Sequence, residues 1–133
     1  MSRRKAPPVS TIPATTKVVA TALRMRERGV DSLVVVDARG KAIGLVTDRD
    51  LALRVVAARL DPKRTTVRKV MSAPLVSATA DESNEVVLAR MERHGVRHIP
   101  VLDKGKVVRI VTFDELLLEI GEEIADLGHA VRR

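Results

Sequence analysis

The sequence contains no cysteine and almost no aromatic residues. Without cysteine, the chain has neither a disulfide framework nor a cysteine-based metal or redox site. Aromatic residues make up 1% of the 133 residues, and Phe113 is the only one. The aromatic side chains on which single-stranded nucleic acids usually stack are therefore missing, which disfavours nucleic acid as a partner.

Long apolar runs and catalytic motifs are also missing. No apolar run approaches the roughly 20 residues needed to span a bilayer, and the first residues, MSRRKAPP, lack the apolar stretch of a signal peptide. We therefore expect a cytoplasmic protein without a membrane partner. The three histidines lack the spacing of a metal motif, and neither a glycine-rich phosphate loop nor a nucleophile elbow is present. The sequence predicts no enzymatic activity, no metal site and no obligatory cofactor.

The chain is small and basic. With 45% apolar residues, 133 residues suffice for one compact domain or two very small ones that share a core. The formal charge of +7 favours nucleic acid, anionic lipid or phosphorylated small molecules as partners. However, the basic residues are spread along the chain, with local clusters only at residues 3–5, 63–69 and 132–133. No basic helix stands out.

One sequence pattern occurs twice, with a separation of about 65 residues. The stretch GLVTDRDL at residues 44–51 is matched by RIVTFDEL at residues 109–116, and a repeat at this spacing indicates a duplicated unit. The longer stretches RMRERGVDSLVVVDARGKAIGLVTDRDL and RMERHGVRHIPVLDKGKVVRIVTFDEL align with one gap, at a turn. Similarity of this length and order argues against chance.

The sequence predicts the same five secondary-structure elements in each half of the chain. In the first half, a short extended piece, VSTI, precedes a helix that Thr15 and Thr16 can cap and that Gly29 ends. The strands SLVVVD and AIGLVT and the helix DRDLALRVVAARL follow. The second half repeats the order with PLVSA, ADESNEVVLARMERHG, HIPVLD, VVRIVT and FDELLLEIGEEI. The predicted fold class is α/β (α+β), with two pseudo-symmetric β-α-β-β-α repeats packed as one module.

The elements also divide the chain into segments. We predict a disordered basic arm (1–8), a first repeat (9–60), an inter-repeat linker (61–73), a second repeat (74–120) and a helical tail (121–133). The tail continues an apolar stripe at helical spacing that could cover the domain or meet a partner subunit: Ile120, Ile124, Leu127 and Val131.

With these features, the chain resembles the tandem cystathionine-β-synthase-type (CBS) domain pair in its small stand-alone form. The two motifs, together with VMSAPLVSA, RERGVDSLVVVD and ERHGVRHIPVLD, carry this resemblance, which covers about Val9 to Ile120. It implies a homodimer and an adenosine-containing ligand in the cleft between the repeats, usually AMP, ADP or ATP. In some members the ligand is S-adenosylmethionine or a NAD-type molecule. The ligand is then regulatory, and an unidentified effector protein senses a change in conformation or dimer geometry.

The repeated motif places candidate ligand-binding residues where a strand meets a helix. The hydroxyl of Thr47 and the unpaired N–H groups of the first helical turn could hold a phosphate. The carboxylate of Asp50 could accept hydrogen bonds from two ribose hydroxyls, and Gly44 is expected to leave space for the ligand. Helix capping also explains these residues, since Thr112-x-x-Glu115 is a literal capping box and Thr47-x-x-Asp50 is a shorter-armed version. The two interpretations are compatible.

The two copies of the motif are not equivalent. Arg109 stands where the first copy has Gly44, and Glu115 stands where it has Asp50. Arg109 could donate to a phosphate, fill the space, or pair with Glu115. We therefore expect one good site around Thr47 and Asp50, and a weak or absent second site that would include Thr112.

Five further residues are secondary candidates. Arg49 and Arg54 could reach a phosphate or remain solvated. His98 could contact ligand or be an ordinary half-buried strand residue. Met71 and Ser72 could border the adenine, although Met71 could instead fill the core. Two other functions remain open from the sequence: a structural dimerisation domain with an empty cleft, and a nucleic-acid-binding protein that uses the basic charge.

Overall fold

Each of two compact units carries one copy of the predicted repeat. The computed structural model describes residues 9–132, with side chains as far as residue 129. The described residues divide after Val76, so that the first unit is Val9–Val76 and the second begins at Ser77. The predicted arm at residues 1–8 and the side chain of Val131 lie outside this description.

The first unit is a three-stranded sheet with helices. Its strands are β1 (Thr11–Pro13), β2 (Ser32–Val36) and β3 (Ala42–Thr47), in the order β1-β2-β3. Strand β1 pairs parallel to β2, and β3 pairs antiparallel to it. Helix α1 (Val18–Arg28) connects β1 to β2, and α2 (Asp48–Leu51) follows β3 and continues as a π-helical stretch, Ala52–Val56. A short helix, α3 (Val67–Val70), comes last.

The second unit repeats this topology. Its strands are β4 (Ala78–Thr79), β5 (His98–Asp103) and β6 (Lys106–Thr112), again with one parallel and one antiparallel pairing. Helix α4 (Asn84–His94) lies between β4 and β5, and α5 (Phe113–Arg132) follows β6. The predicted β-α-β-β-α order is therefore confirmed in both units, and the predicted tail is the continuation of α5.

The helix ends show where sequence rules apply. Gly29 and Gly95 follow α1 and α4 in the left-handed conformation, with φ of 63° and 64°, as the C′ assignment requires. The hydroxyl of Ser83 caps α4 by accepting a hydrogen bond from the N–H of Val86. The predicted cap of α1 is wrong, because its N-cap is Lys17 and no side chain caps this end. Instead, the N–H of Val18 donates to the carbonyl of Thr65. A tertiary hydrogen bond thus satisfies this N–H group in place of a side-chain cap.

The segment predicted as a linker packs on the first unit. Val67 is fully buried and Met71 partly buried in the same apolar cluster as Leu33 and Val46 of the sheet. Ser72 pairs antiparallel with Leu45 of β3, through an N–H to carbonyl hydrogen bond in each direction of 2.8 and 3.1 Å. The chain around Ser72 therefore extends the edge of the first sheet.

This pairing depends on a glycine in β3. A Cβ atom built on Gly44 would lie 2.6 Å from Sδ of Met71 and 2.9 Å from the backbone carbonyl oxygen of Ser72. The methionine side chain can move aside, but the carbonyl oxygen is fixed because the Leu45 N–H donates to it. Gly44 is thus required for the close approach of the two chain segments.

An ion pair joins the start of the second unit to α4. Nη1 of Arg90 donates to the Ser77 carbonyl at 2.9 Å and to Oε1 of Glu82 at 2.8 Å, and Nη2 donates to Oε2. The N–H of Thr79 also donates to Oε1 of Glu82, at 3.0 Å. These hydrogen bonds, the one from Arg90 foremost, lower the pKa of Glu82 from 4.5 to about 2. In return, the carboxylate raises the pKa of Arg90.

We predict that Gly44→Ala destabilises the chain by about 1–3 kcal/mol, because the added methyl group separates Ser72 from β3. Gly121→Ala is the control, since nothing lies within 4 Å of a Cβ at this position in α5. It should be neutral or stabilising by up to about 1 kcal/mol. Urea unfolding of both variants measures the difference, and equal midpoints for Gly44→Ala and wild type would contradict the packing described here.

We also predict that the contribution of Glu82 to stability depends on pH. Because its pKa is lowered in the folded state, the contribution is complete above about pH 4.5 and disappears as the pH falls towards about 2. The difference in urea midpoint between wild type and Glu82→Gln should therefore shrink over this range. Glu92→Gln, at an exposed glutamate of α4, should show a smaller and flatter difference; identical pH profiles for the two variants would refute the assignment.

Candidate functional site

The end of β3 and the start of α2 form a reciprocal cap. Thr47 is extended and begins the helix, and its hydroxyl accepts a hydrogen bond from the N–H of Asp50 at 3.3 Å. In return, Oδ2 of Asp50 accepts from the N–H of Thr47 at 2.9 Å. The predicted capping box is confirmed here. It fixes the Asp50 carboxylate at the strand end, independently of any ligand.

The carboxylate of Asp50 is buried among polar groups of the first unit, with the residue 8% exposed. The Ser72 hydroxyl lies 3.3 and 3.4 Å from its two oxygens, and Nη1 of Arg54 lies 3.7 Å from Oδ1. The same Nη1 also donates to the carbonyls of Val70 and Met71, at 3.0 Å each. We call Thr47, Asp50, Arg54, Met71 and Ser72 the Asp50 cluster.

The contacts within the Asp50 cluster differ in strength. The N–H of Thr47 donates at a normal distance, whereas the hydroxyl of Ser72 is about 0.5 Å beyond the usual 2.7–2.8 Å of an O–H···O bond. A carboxylate offers about four acceptor positions. Asp50 can therefore accept a stronger hydroxyl donor in place of Ser72 without losing its cap.

The structure changes the roles expected for two groups. The space beside Gly44 is occupied by Met71 and the carbonyl of Ser72, so the expectation of open space there is wrong. The first N–H groups of α2 have partners: Asp48 donates to the Asp31 carbonyl, and Arg49 donates to the Asp48 side chain. The expected unpaired N–H groups are thus absent from the start of this helix. The Arg49 side chain itself is exposed.

The matching position in the second unit has different chemistry. The hydroxyl of Thr112 accepts from the N–H of Glu115 at 3.2 Å, so Thr112 caps α5. Arg109 lies opposite Val101 in the β5–β6 ladder, and its Nε is buried with no hydrogen-bond partner among the described residues. His98 is half-buried and lies opposite Thr112. The four sequence-predicted residues of this unit therefore lie along β5, β6 and the start of α5.

Two contacts were not foreseen from the sequence. Arg54 ties the Asp50 carboxylate to the carbonyls at the end of α3, and the Ser72 hydroxyl approaches the same carboxylate. Both contacts depend on the antiparallel pairing of Ser72 with β3. This pairing joins only one residue on each side, and no sequence pattern predicts such a single bridge. The sequence predicted Arg54 only as a residue that could reach a phosphate, and Ser72 only as a residue that could border the adenine.

A metal cluster and a membrane-spanning helix are both absent from the described part of the chain. Within residues 9–129, no three histidine, cysteine or carboxylate side chains come together as a metal site. Among the described helices, none is both long and apolar enough to cross a membrane.

Known proteins with similar sequences share the repeat. The profile of the CBS domain matches residues 1–57 and 67–122. An uncharacterized protein from Methanopyrus kandleri is 36% identical over 105 residues, which cover 77% of this chain and 53% of that protein. A CBS domain-containing protein from Arabidopsis thaliana is 34% identical over 124 residues, 91% of this chain and 22% of that protein. This chain thus spans about half or less of the length of these relatives.

Known structures share the fold. A candidate signal-transduction protein with CBS domains from Burkholderia ambifaria superposes with a TM-score of 0.77 at 31% identity, over 84% of this chain and 82% of that one. The duplicated topology, the repeated motif and these matches agree. The chain belongs to the CBS domain family and carries two copies of the domain.

Proposed function

We propose that this CBS domain pair is a regulatory module that binds an adenosine-containing ligand, AMP, ADP or ATP, through the Asp50 cluster. CBS domain pairs are commonly regulatory or signal-transduction modules and typically bind such ligands. The observation that carries the proposal is the buried Asp50 carboxylate, which the cap holds firmly and the Ser72 hydroxyl holds only weakly. A carboxylate with one weak, replaceable hydrogen bond can bind a ligand that carries hydroxyl groups.

The ribose is the part of the ligand that Asp50 would hold. Its two adjacent hydroxyls are donors, and each would replace a long contact from Ser72 with a charge-assisted hydrogen bond. The cap between Asp50 and Thr47 persists during this exchange, because it uses the Thr47 N–H. Thr47 still has its hydroxyl proton to donate to a phosphate, and the exposed guanidinium of Arg49 can add charge. Met71, with its flexible thioether, can adapt to the adenine.

The same exchange provides a route for the signal. Ser72 lies on the segment that pairs with β3 and then continues into β4 of the second unit. A ligand that takes the place of the Ser72 hydroxyl changes the energy of this segment, and only such a differential interaction can shift a conformational equilibrium. The bound ligand would then be sensed by an effector protein, or it would change the geometry of the dimer.

The second unit is proposed to offer a weaker site. Glu115 has a longer arm than Asp50, and Arg109 places a cation where the first unit has a glycine. The buried Nε of Arg109 can donate to a phosphate. We therefore propose one principal ligand per chain, held by the first unit.

We predict that an adenosine ligand raises the melting temperature and that Asp50→Asn reduces this shift to about half or less. The amide keeps one oxygen for the Thr47 N–H but loses the charge and an acceptor, so affinity should fall about tenfold or more. A panel of AMP, ADP, ATP, S-adenosylmethionine, NAD, GMP and a short DNA duplex at fixed salt identifies the ligand, since a ligand bound at 100 times its Kd adds about 2.7 kcal/mol.

Ser83→Ala is the matched control for the loss of a helix cap. It removes the cap of α4 in the other unit and should lower the melting temperature while leaving the ligand shift intact. Absence of a shift with every nucleotide would refute the proposal and favour a structural domain. A shift with DNA alone that falls steeply with salt and ignores Asp50 would favour nucleic-acid binding.

We further predict that Ser72→Ala preserves or strengthens nucleotide binding. Removing a hydroxyl that the ligand must displace lowers the cost of binding, while the long hydrogen bonds cost little stability when lost. Isothermal titration of the nucleotide found in the panel measures the change. A tenfold loss of affinity in Ser72→Ala would show that the ligand uses the Ser72 hydroxyl instead of replacing it.

A further inference from the structure

Arg54 contacts two different parts of the first unit with one nitrogen atom. Its Nη1 donates to the carbonyl oxygens of Val70 and Met71, at 3.0 Å each, and lies 3.7 Å from Oδ1 of Asp50. Val70 is the last residue of α3, and Met71 begins the segment that pairs with β3 through Ser72. One guanidinium thus joins the carboxylate of the motif to the end of α3.

The contacts of Arg54 to the carbonyls and to the carboxylate differ in kind. Nη1 carries two N–H groups, and the two carbonyls provide one acceptor for each. Asp50 is held by charge, because 3.7 Å is too long for a hydrogen bond. The guanidinium is always protonated, so the variable partner of this ion pair is Asp50.

One part of this contact region is fixed by packing, and another part is accessible. Val55, next to Arg54 in the chain, is buried with Val18 and Val70, and this packing fixes the helix beside α3. The Arg54 side chain itself is 49% exposed, whereas that of Asp50 is 11% exposed. A ligand that reaches the Asp50 cluster can therefore also reach the guanidinium.

The helix that carries Arg54 has a widened turn at this point. Arg54 is the central residue of the π-helical stretch Ala52–Val56, where a backbone N–H donates to the carbonyl five residues back, at 2.9 Å. Such turns are rare and occur frequently at functional sites. The matching residues 117–121 lie in the α-helix α5, and Glu119 stands at the place of Arg54. The widened turn and the cation therefore occur together in the first unit and not at the matching place in the second.

We propose that Arg54 is a positioning residue that transmits a change at Asp50 to the end of α3. This inference rests on the proposed function, because it states how the chain senses that the Asp50 cluster is occupied. Ribose hydroxyls that bind to Asp50 share its negative charge, and a phosphate of the same ligand attracts the guanidinium. Both effects weaken the hydrogen bonds from Arg54 to the carbonyls of Val70 and Met71, and the segment after α3 loosens.

Amide hydrogen exchange of Met71 measures this link without any nucleotide. The Met71 N–H donates to the Val67 carbonyl at 2.9 Å, so it exchanges when the end of α3 opens. Every protein in the test carries Ser72→Ala, because the Ser72 hydroxyl contacts Asp50 directly. Arg54→Gln should accelerate Met71 exchange about tenfold. Asp50→Asn should accelerate it about threefold when Arg54 is present and should add nothing to the effect of Arg54→Gln.

Two controls separate the link from general effects. Arg49→Gln removes the same charge from an exposed side chain of α2. It should leave Met71 exchange unchanged, because an exposed charge away from the α3 carbonyls is screened by salt. The Val96 N–H, which donates to the Met91 carbonyl at 3.0 Å in the second unit, should accelerate by a smaller factor than the Met71 N–H in every variant. Acceleration of both amides by the same factor would show global destabilisation and overturn the inference.

The outcomes distinguish this inference from the proposed function. If Asp50→Asn accelerates Met71 exchange equally with and without Arg54, the two residues are not linked, and the inference is overturned even when a nucleotide raises the melting temperature. If the two effects are coupled and no nucleotide raises the melting temperature, the proposed function is refuted while the link stands. In a chain that binds, saturating nucleotide should accelerate Met71 exchange about threefold in Ser72→Ala with Arg54 present. An unchanged rate there would also overturn the inference.

Discussion

The close contact between Gly44 and the Met71–Ser72 segment is the constraint on which the candidate site depends. Because Gly44 has no side chain, the carbonyl of Ser72 can pair with Leu45 of β3. That pairing brings the Ser72 hydroxyl to Asp50 and places the carbonyls of Val70 and Met71 within reach of Arg54. The polar cluster thus results from a backbone contact that one missing methyl group permits.

Sequence patterns were sufficient for elements whose signals are local. The strands Ala42–Thr47 and His98–Asp103 match their predictions at both ends, and the glycines at positions 29 and 95 end their helices as expected. The capping box at Thr47 is local too, since its two partners are three residues apart. The predictions that were wrong concern contacts between residues far apart in the sequence. Thr65 caps α1 from 47 residues away, and Met71 fills the space beside Gly44.

Duplication explains both the fold and its asymmetry. The two units keep the features that define the backbone, including left-handed glycines with φ of 80° in the strand turns and a bulge at the matching place in the middle strand. They differ where a side chain faces outward or faces the motif: Gly44 against Arg109, and Arg49 against Asp114. Residues that preserve the fold are therefore shared, whereas residues around the motif and on the outer surface have diverged.

This divergence also changes the meaning of the overall charge. A protein of +7 invites comparison with nucleic-acid-binding proteins, but the basic residues are concentrated in the unit that holds the Asp50 cluster, and α5 of the other unit is acidic. Under the proposed function, the positive charge of Arg49 beside Thr47 would attract a phosphate-bearing small molecule, which needs only a local field.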